Sequence, residues 1–251
     1  MSSILISSMV FVVVFSGALA GMGLRRVLPE DQLGPETKDI IRQATGLLVT
    51  MTALVLGMLV SAANSSYQDR KNELAEMGSS FALVDGLLTS YGPETEAIRL
   101  ELRRLAESGL ERIWPSHVSR ASQLRPREDG QLFYDQLQML APKNEAQIAL
   151  KEAIISAAIN LRHTYWLMFL GAEQSSLSFP LLAVVVLWLT FIFTSFGLFA
   201  PRTKTIFVTL VACALAVSGA IFIIMAMYAP FSGVMKISPS PIRNALSLMG
   251  H

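Results

Sequence analysis

Charge is what this chain has least of. Of its 251 residues only 16% are Asp, Glu, Lys or Arg, while 52% are hydrophobic. Soluble domains carry nearer a quarter charged residues, so the deficit points to a bilayer. The formal net charge is +1, which gives no electrostatic footprint for a nucleic-acid partner. There is one cysteine, Cys213, in the middle of the last apolar run. A single cysteine excludes an intrachain disulfide and a multi-thiolate metal site, and its plain reading is a small packing residue. The three histidines, His117, His163 and His251, are scattered, so no histidine metal site is expected. The sequence also lacks a phosphate-binding glycine loop, an HExxH pair, an EF-hand pattern and a nucleophile elbow. No carboxylates are paired for acid–base work and no cofactor is implied, so the expectation is that this is not an enzyme. The apolar runs contain no central ionisable residue, which argues against a proton-coupled carrier.

What the sequence does have is four long apolar runs: 4–24, 40–64, 179–200 and 206–228. At ~1.5 Å per residue, some 22 helical residues cross the ~30 Å hydrocarbon layer. The first run contains Ala18-Leu19-Ala20, which imitates a signal-peptidase site. It lacks a basic leader, however, and Arg25-Arg26 follow it rather than precede it, so it reads as a retained helix. Pro29, Gly34 and Pro35 keep the next connector irregular, and Thr37 is placed to cap the second span. Arg42, near the start of that span, can snorkel to the headgroups. Pro201, Arg202, Thr203 and Lys204 make a tight break between the third and fourth runs.

Residues 65–178 read as a helical domain outside the membrane. Leu74, Met77, Phe81, Val84 and Leu88 continue the second span into water, and Gly92-Pro93 ends that helix. A helix over 94–114, a loop over 116–130, a short helix over 131–140 and a long helix over 143–172 follow. The basic cluster Arg125-Pro126-Arg127, interrupted by Glu128 and Asp129, belongs to the loop. Tyr165 and Trp166 suit a membrane interface, His163 beside them reads as an interfacial residue, and Glu173 and Gln174 as solvated helix-end residues.

The fold class expected is therefore all-α: an integral membrane protein with four transmembrane helices and a helical domain inserted between the second and third. Transmembrane hairpins occupy 1–64 and 179–228, the helical domain 65–178, and a structured tail 229–251. In the tail, Pro230 and Gly233 make a sharp turn. Ser240 caps a short helix with Pro241 at its first position, and Ile242, Ala245, Leu246 and Met249 share one face.

One stretch of the second span stands out. Gly46, Thr50, Ala53, Gly57, Ser61 and Asn64 recur at spacings of four and three, which places them on one helix face. Small residues let helix backbones approach closely in lipid, so the face suits a packing seam. It equally suits the wall of a weakly selective pore.

The segment Phe196-Gly197-Leu198-Phe199-Ala200-Pro201-Arg202 is followed by an apolar helix, then by Pro230-Phe231-Ser232-Gly233, Ile237-Ser238-Pro239 and Arg243-Asn244-Ala245-Leu246. Together these resemble the bestrophin-like domain family over nearly the whole chain. Ala226 and Tyr228 stand where the family often carries acids, which removes an ion-coordinating role from those positions. The resemblance implies a homo-oligomeric ion channel, since the bestrophins are oligomeric anion channels. The alternative is a non-conducting scaffold or sensor whose helical domain binds a partner. The expected partners are the lipid bilayer, other copies of the chain and inorganic ions. The expected place is the cell (inner) membrane. Arg25, Arg26, Lys38, Arg42, Arg202 and Lys204 lie on or beside the short connectors, which favours connectors inside and the helical domain outside. The resemblance alone would put that domain in the cytoplasm.

Overall fold

The computed structural model describes residues 3–29, 34–114, 126–174, 179–201, 203–231 and 233–249. All its regular elements among these residues are helical: α1 (Ser3–Leu24), α2 (Pro35–Tyr91), a 3-10 turn (Pro93–Thr95), α3 (Glu96–Ile113), α4 (Pro126–Gln138), α5 (Glu145–Gln174), α6 (Phe179–Phe199), α7 (Lys204–Met227) and α8 (Ser240–Leu248). The chain divides into two compact units, one of Met1–Tyr67 with Ser176–Met235 and the other of Gln68–Ser175 with Lys236–His251. The 57-residue α2 contributes to both.

The first unit holds the apolar helices. Among the described residues four helices are long and apolar enough to cross a membrane: α1, α2, α6 and α7. Their outward surface is apolar too, with Leu54, Leu187, Phe191 and Val208 all exposed. Water would not tolerate such a surface, and hydrocarbon does. The chain is a membrane protein.

Glycine sets the spacing of α1 against α6. A Cβ on Gly21 would lie 2.1 Å from the carbonyl oxygen of Thr194, and one on Gly197 2.1 Å from that of Ala18. Gly17 and Gly21 form a small-xxx-small pair, the device that brings helix backbones together in lipid. Ser218 of α7 donates to the carbonyl of Ser7 at 2.7 Å in a buried bond between α7 and α1. Arg25 Nη1 donates to the carbonyl of Ala200 at 2.7 Å, just beyond the C-terminus of α6, where orphan carbonyls and the helix dipole both favour a cation. Around these contacts Val14, Ala18, Val185, Leu189, Ile221 and Ile224 form the core, and α2 adds Leu59 and Ala63.

The second unit has its own core of Leu74, Met77, Leu88, Leu102, Leu137 and Ile154, into which α8 inserts Ile242. Asp85, 7% exposed, accepts two hydrogen bonds from Arg99, at 2.8 and 3.1 Å. This bidentate pair raises the Arg99 pKa above the ordinary arginine value, chiefly through that hydrogen bond. Gly92, with φ 135°, reverses the chain after α2. Thr95 Oγ1 then donates to the Leu88 carbonyl at 2.7 Å and fastens the turn. Trp114 Nε1 donates to the Ile237 carbonyl at 3.2 Å, and Gly78 lies so close to Pro241 that a Cβ there would meet its carbonyl at 2.7 Å. Both contacts hold the tail within this unit.

Several local expectations are corrected. The second apolar helix begins at Pro35 rather than after Thr37, because proline suits the first helical position, where its missing N–H costs nothing. The loop expected over 116–130 gives way to α4 from Pro126, again a proline start. The helix expected over 94–114 begins as a 3-10 turn and becomes α3 at Glu96. The N-cap of α8 is Pro239, one residue before Ser240. Cys213 is exposed rather than packed, because α7 buries the face of Leu210, Ala214, Ser218 and Ile221. Residues 115–125, Arg202, Ser232, His251 and the side chains of Glu173 and Gln174 lie outside the described residues, with the expectations made for them.

Candidate functional site

The first half of α2 has two unlike faces. One carries Leu59 and Ala63, buried in the core, with Leu48, Val55 and Leu56 half-buried against it. The other carries Gly46, Thr50, Ala53, Gly57, Ser61 and Asn64, and all six are exposed. At ~100° per residue these six fall within an arc of about 80°, and from Gly46 to Asn64 they run about 27 Å, close to the hydrocarbon thickness. Nothing lies within 4 Å of a Cβ built on Gly46 or Gly57. This separates them from Gly17, Gly21 and Gly197, whose lack of a side chain is used inside the chain. The most apolar stretch of α2 is 17% buried, against 39% for α1 and for α6. With α7 at 22%, the small face of α2 is one of the surfaces of the membrane unit that one copy of the chain leaves without a neighbour.

Its polar groups ask little of their surroundings. Thr50 Oγ1 donates to the Leu47 carbonyl at 2.7 Å, so its proton is satisfied within the helix. That leaves lone pairs, and the amide of Asn64 at one end, to face outward. Beside the stripe lie Leu47, Leu54 and Met58, each about two-thirds exposed. Leu59, on the opposite side, is 4% exposed.

The tail residues singled out by sequence sit elsewhere. Gly233 takes φ 87°, the left-handed region that favours glycine. Pro230 and Phe231 are half-buried. Pro241 opens α8, in which Ile242 and Ala245 are buried and Arg243, Asn244 and Ser247 exposed. His163 is exposed, and among the described residues no three His, Cys, Asp or Glu side chains group as a metal site.

Compared with family models, the chain matches the bestrophin-like domain over residues 10–242. It belongs to the bestrophin-like domain family. The motifs at Phe196–Pro201 and Pro230–Gly233 thus fall in a match that takes in nearly the whole chain. Comparison with the curated proteins and with the solved structures finds no match.

In this bestrophin-like chain, sequence reasoning missed two features. The first is the α1–α6 glycine contact, signalled by Gly17-x-x-x-Gly21 in the first span. The second is Thr45. It is 5% exposed, and its hydroxyl has no hydrogen-bond partner. A threonine in an apolar helix gives no sequence signal that distinguishes it from its back-bonded neighbours.

Proposed function

We propose that the protein is a homo-oligomeric ion channel whose pore is lined by the small face of α2. Family membership supports a channel-like role in general. The observation that carries the finer reading is the unpartnered stripe from Gly46 to Asn64, which matches the bilayer in length while the reverse face of the same helix is packed. One α2 cannot enclose a pore, so the reading requires a ring of copies with this face turned to the axis. Small side chains leave room for an ion with part of its water, and the absence of charge on the stripe gives weak selectivity. Four spans put both connectors on one side and the helical unit on the other. By the charge of the connectors they lie in the cytoplasm and the helical unit outside the cell membrane.

A second reading, a sensor or scaffold, has one observation in its favour. The helical unit holds a cavity of about 260 Å³ lined by Phe81, Phe133, Tyr134, Trp166 and Arg162 among others, with Arg162 stacked 5.1 Å over the Tyr134 ring. Aromatic walls with a cationic group suit a small anionic ligand. On this reading the protein does not conduct, and its helical unit binds a partner.

The experiment that separates the two is the mass of the detergent-solubilised protein, paired with ion flux in liposomes. A channel gives a mass of several subunits and flux. A monomer without flux leaves the scaffold reading standing.

A further inference from the structure

A second cavity, of about 430 Å³, opens in the membrane unit between the start of α2 and the end of α6. Its α2 wall includes Lys38, Arg42, Thr45 and Val49, residues spaced to share one helix face, with Ile41 and, at the edge of the small stripe, Gly46 on either side. Its α6 wall includes Phe196 and Phe199. The cavity therefore has a cationic mouth at the end of the span and an apolar body beneath it.

Three observations point to an occupant. Lys38 and Arg42 are exposed, and the side chain of neither has an ion-pair or hydrogen-bond partner among the described residues. Lys38 also stands in the first turn of α2, where the helix dipole disfavours a cation and favours an anion. Thr45, in the cavity wall, is more than nine-tenths buried with its hydroxyl unpartnered. The hydroxyls of Thr50, Thr52, Thr190, Thr194, Ser195 and Thr209 all donate to a carbonyl three or four residues back. Thr45 departs from that habit in the cavity wall, while Ser195 across the same cavity keeps it. Buried polar groups left without partners are uncommon, and each asks for an explanation.

We propose that this groove binds the phosphate of an anionic phospholipid, with Lys38 and Arg42 on the phosphate oxygens, Thr45 donating to the headgroup, and Phe196, Phe199 and Val49 against the acyl chain. The chemistry recognised is a phosphate anion. The apolar body below the cations and the position at the end of a span favour a lipid as its source. The inference rests on the reading of α2 and α6 as membrane spans, not on conduction.

The test is native mass spectrometry of the full chain, delipidated in detergent and titrated with phosphatidylglycerol or phosphatidylcholine of the same acyl chains. The wild type should retain phosphatidylglycerol about ten-fold better, and Lys38→Gln with Arg42→Gln should abolish the preference, each cation near a membrane surface being worth several-fold. Thr45→Val should reduce it about two-fold, and Arg103→Gln, in the helical unit, should leave it intact. If the double variant does not fold, Arg42→Gln alone should lower the preference. Equal retention of both lipids by the wild type overturns the proposal, as does a preference that survives loss of the cations. Displacement of phosphatidylglycerol by excess inorganic phosphate also overturns it, in favour of a free phosphate site. Oligomer mass and flux are read separately, so failure here is distinguishable from failure of the channel reading.

Discussion

At the scale of single residues, the chain uses glycine in two ways that composition does not separate. Gly21 and Gly197 stand where a methyl group would meet a neighbouring backbone oxygen at 2.1 Å, whereas Gly46 and Gly57 face open space. Backbone on a packed helix cannot yield as a side-chain tip can. Gly21→Ala and Gly197→Ala should each destabilise the protein by about 3 kcal/mol, at the upper end of what overpacking costs. Gly57→Ala should instead be neutral, or stabilising by up to about 1 kcal/mol through helix propensity. Thermal unfolding in detergent decides this, and equal effects at Gly21 and Gly57 would contradict the division. The sequence displayed all four glycines but not this difference. Spacings of three and four mark a face, and which face finds a partner depends on the crossing of helices distant in sequence. The orphaned hydroxyl of Thr45 was hidden for the same reason.

At the scale of elements, the sequence was most legible where apolar length decides the outcome. Runs too long and too apolar for water became α1, α6 and α7 at nearly the expected bounds, and the stripe from Leu74 to Leu88 extended α2 well beyond its span. Boundaries set by local chemistry were less legible. Pro35 reads as part of an irregular connector and Pro126 as part of a loop, yet both open helices, since a proline reads alike from sequence at either end of a loop. Contacts between elements were not legible at all. Nothing in the sequence separates Asp85 from the other carboxylates of the helical region, yet it is buried and holds Arg99 by two bonds. Breaking a buried pair leaves the other charge uncompensated. Arg99 keeps some access to water, so Asp85→Ala should cost about 2 kcal/mol, less than a fully buried pair. Removing the exposed Arg103–Glu107 pair should cost under about 0.5 kcal/mol. Chemical denaturation followed by helix signal compares the two, and a similar small loss for both would show that the Asp85–Arg99 pair contributes no more than a surface contact.

At the scale of the whole molecule, the membrane character and the family follow from composition and from motifs spread over the chain. The site followed only in outline. A repeat of small residues marked one face of α2, and the fold of one chain leaves that face without a partner, as both a pore wall and a subunit seam require. Its meaning lies in the assembly, where a sequence has least to say: the identity of a subunit's neighbour is not encoded in any local pattern. The central claim is that ions pass along this face. The most direct measurement is thiol block of ion flux in liposomes, using single cysteines on α2 in a Cys213→Ser background, because exposed Cys213 would otherwise react. Cysteine at Ala53, Gly57 or Ser61 should let a charged, membrane-impermeant thiol reagent reduce flux at least several-fold, while cysteine at Leu54 or Leu59 should not. Flux that continues unchanged with all three stripe positions modified would contradict the account.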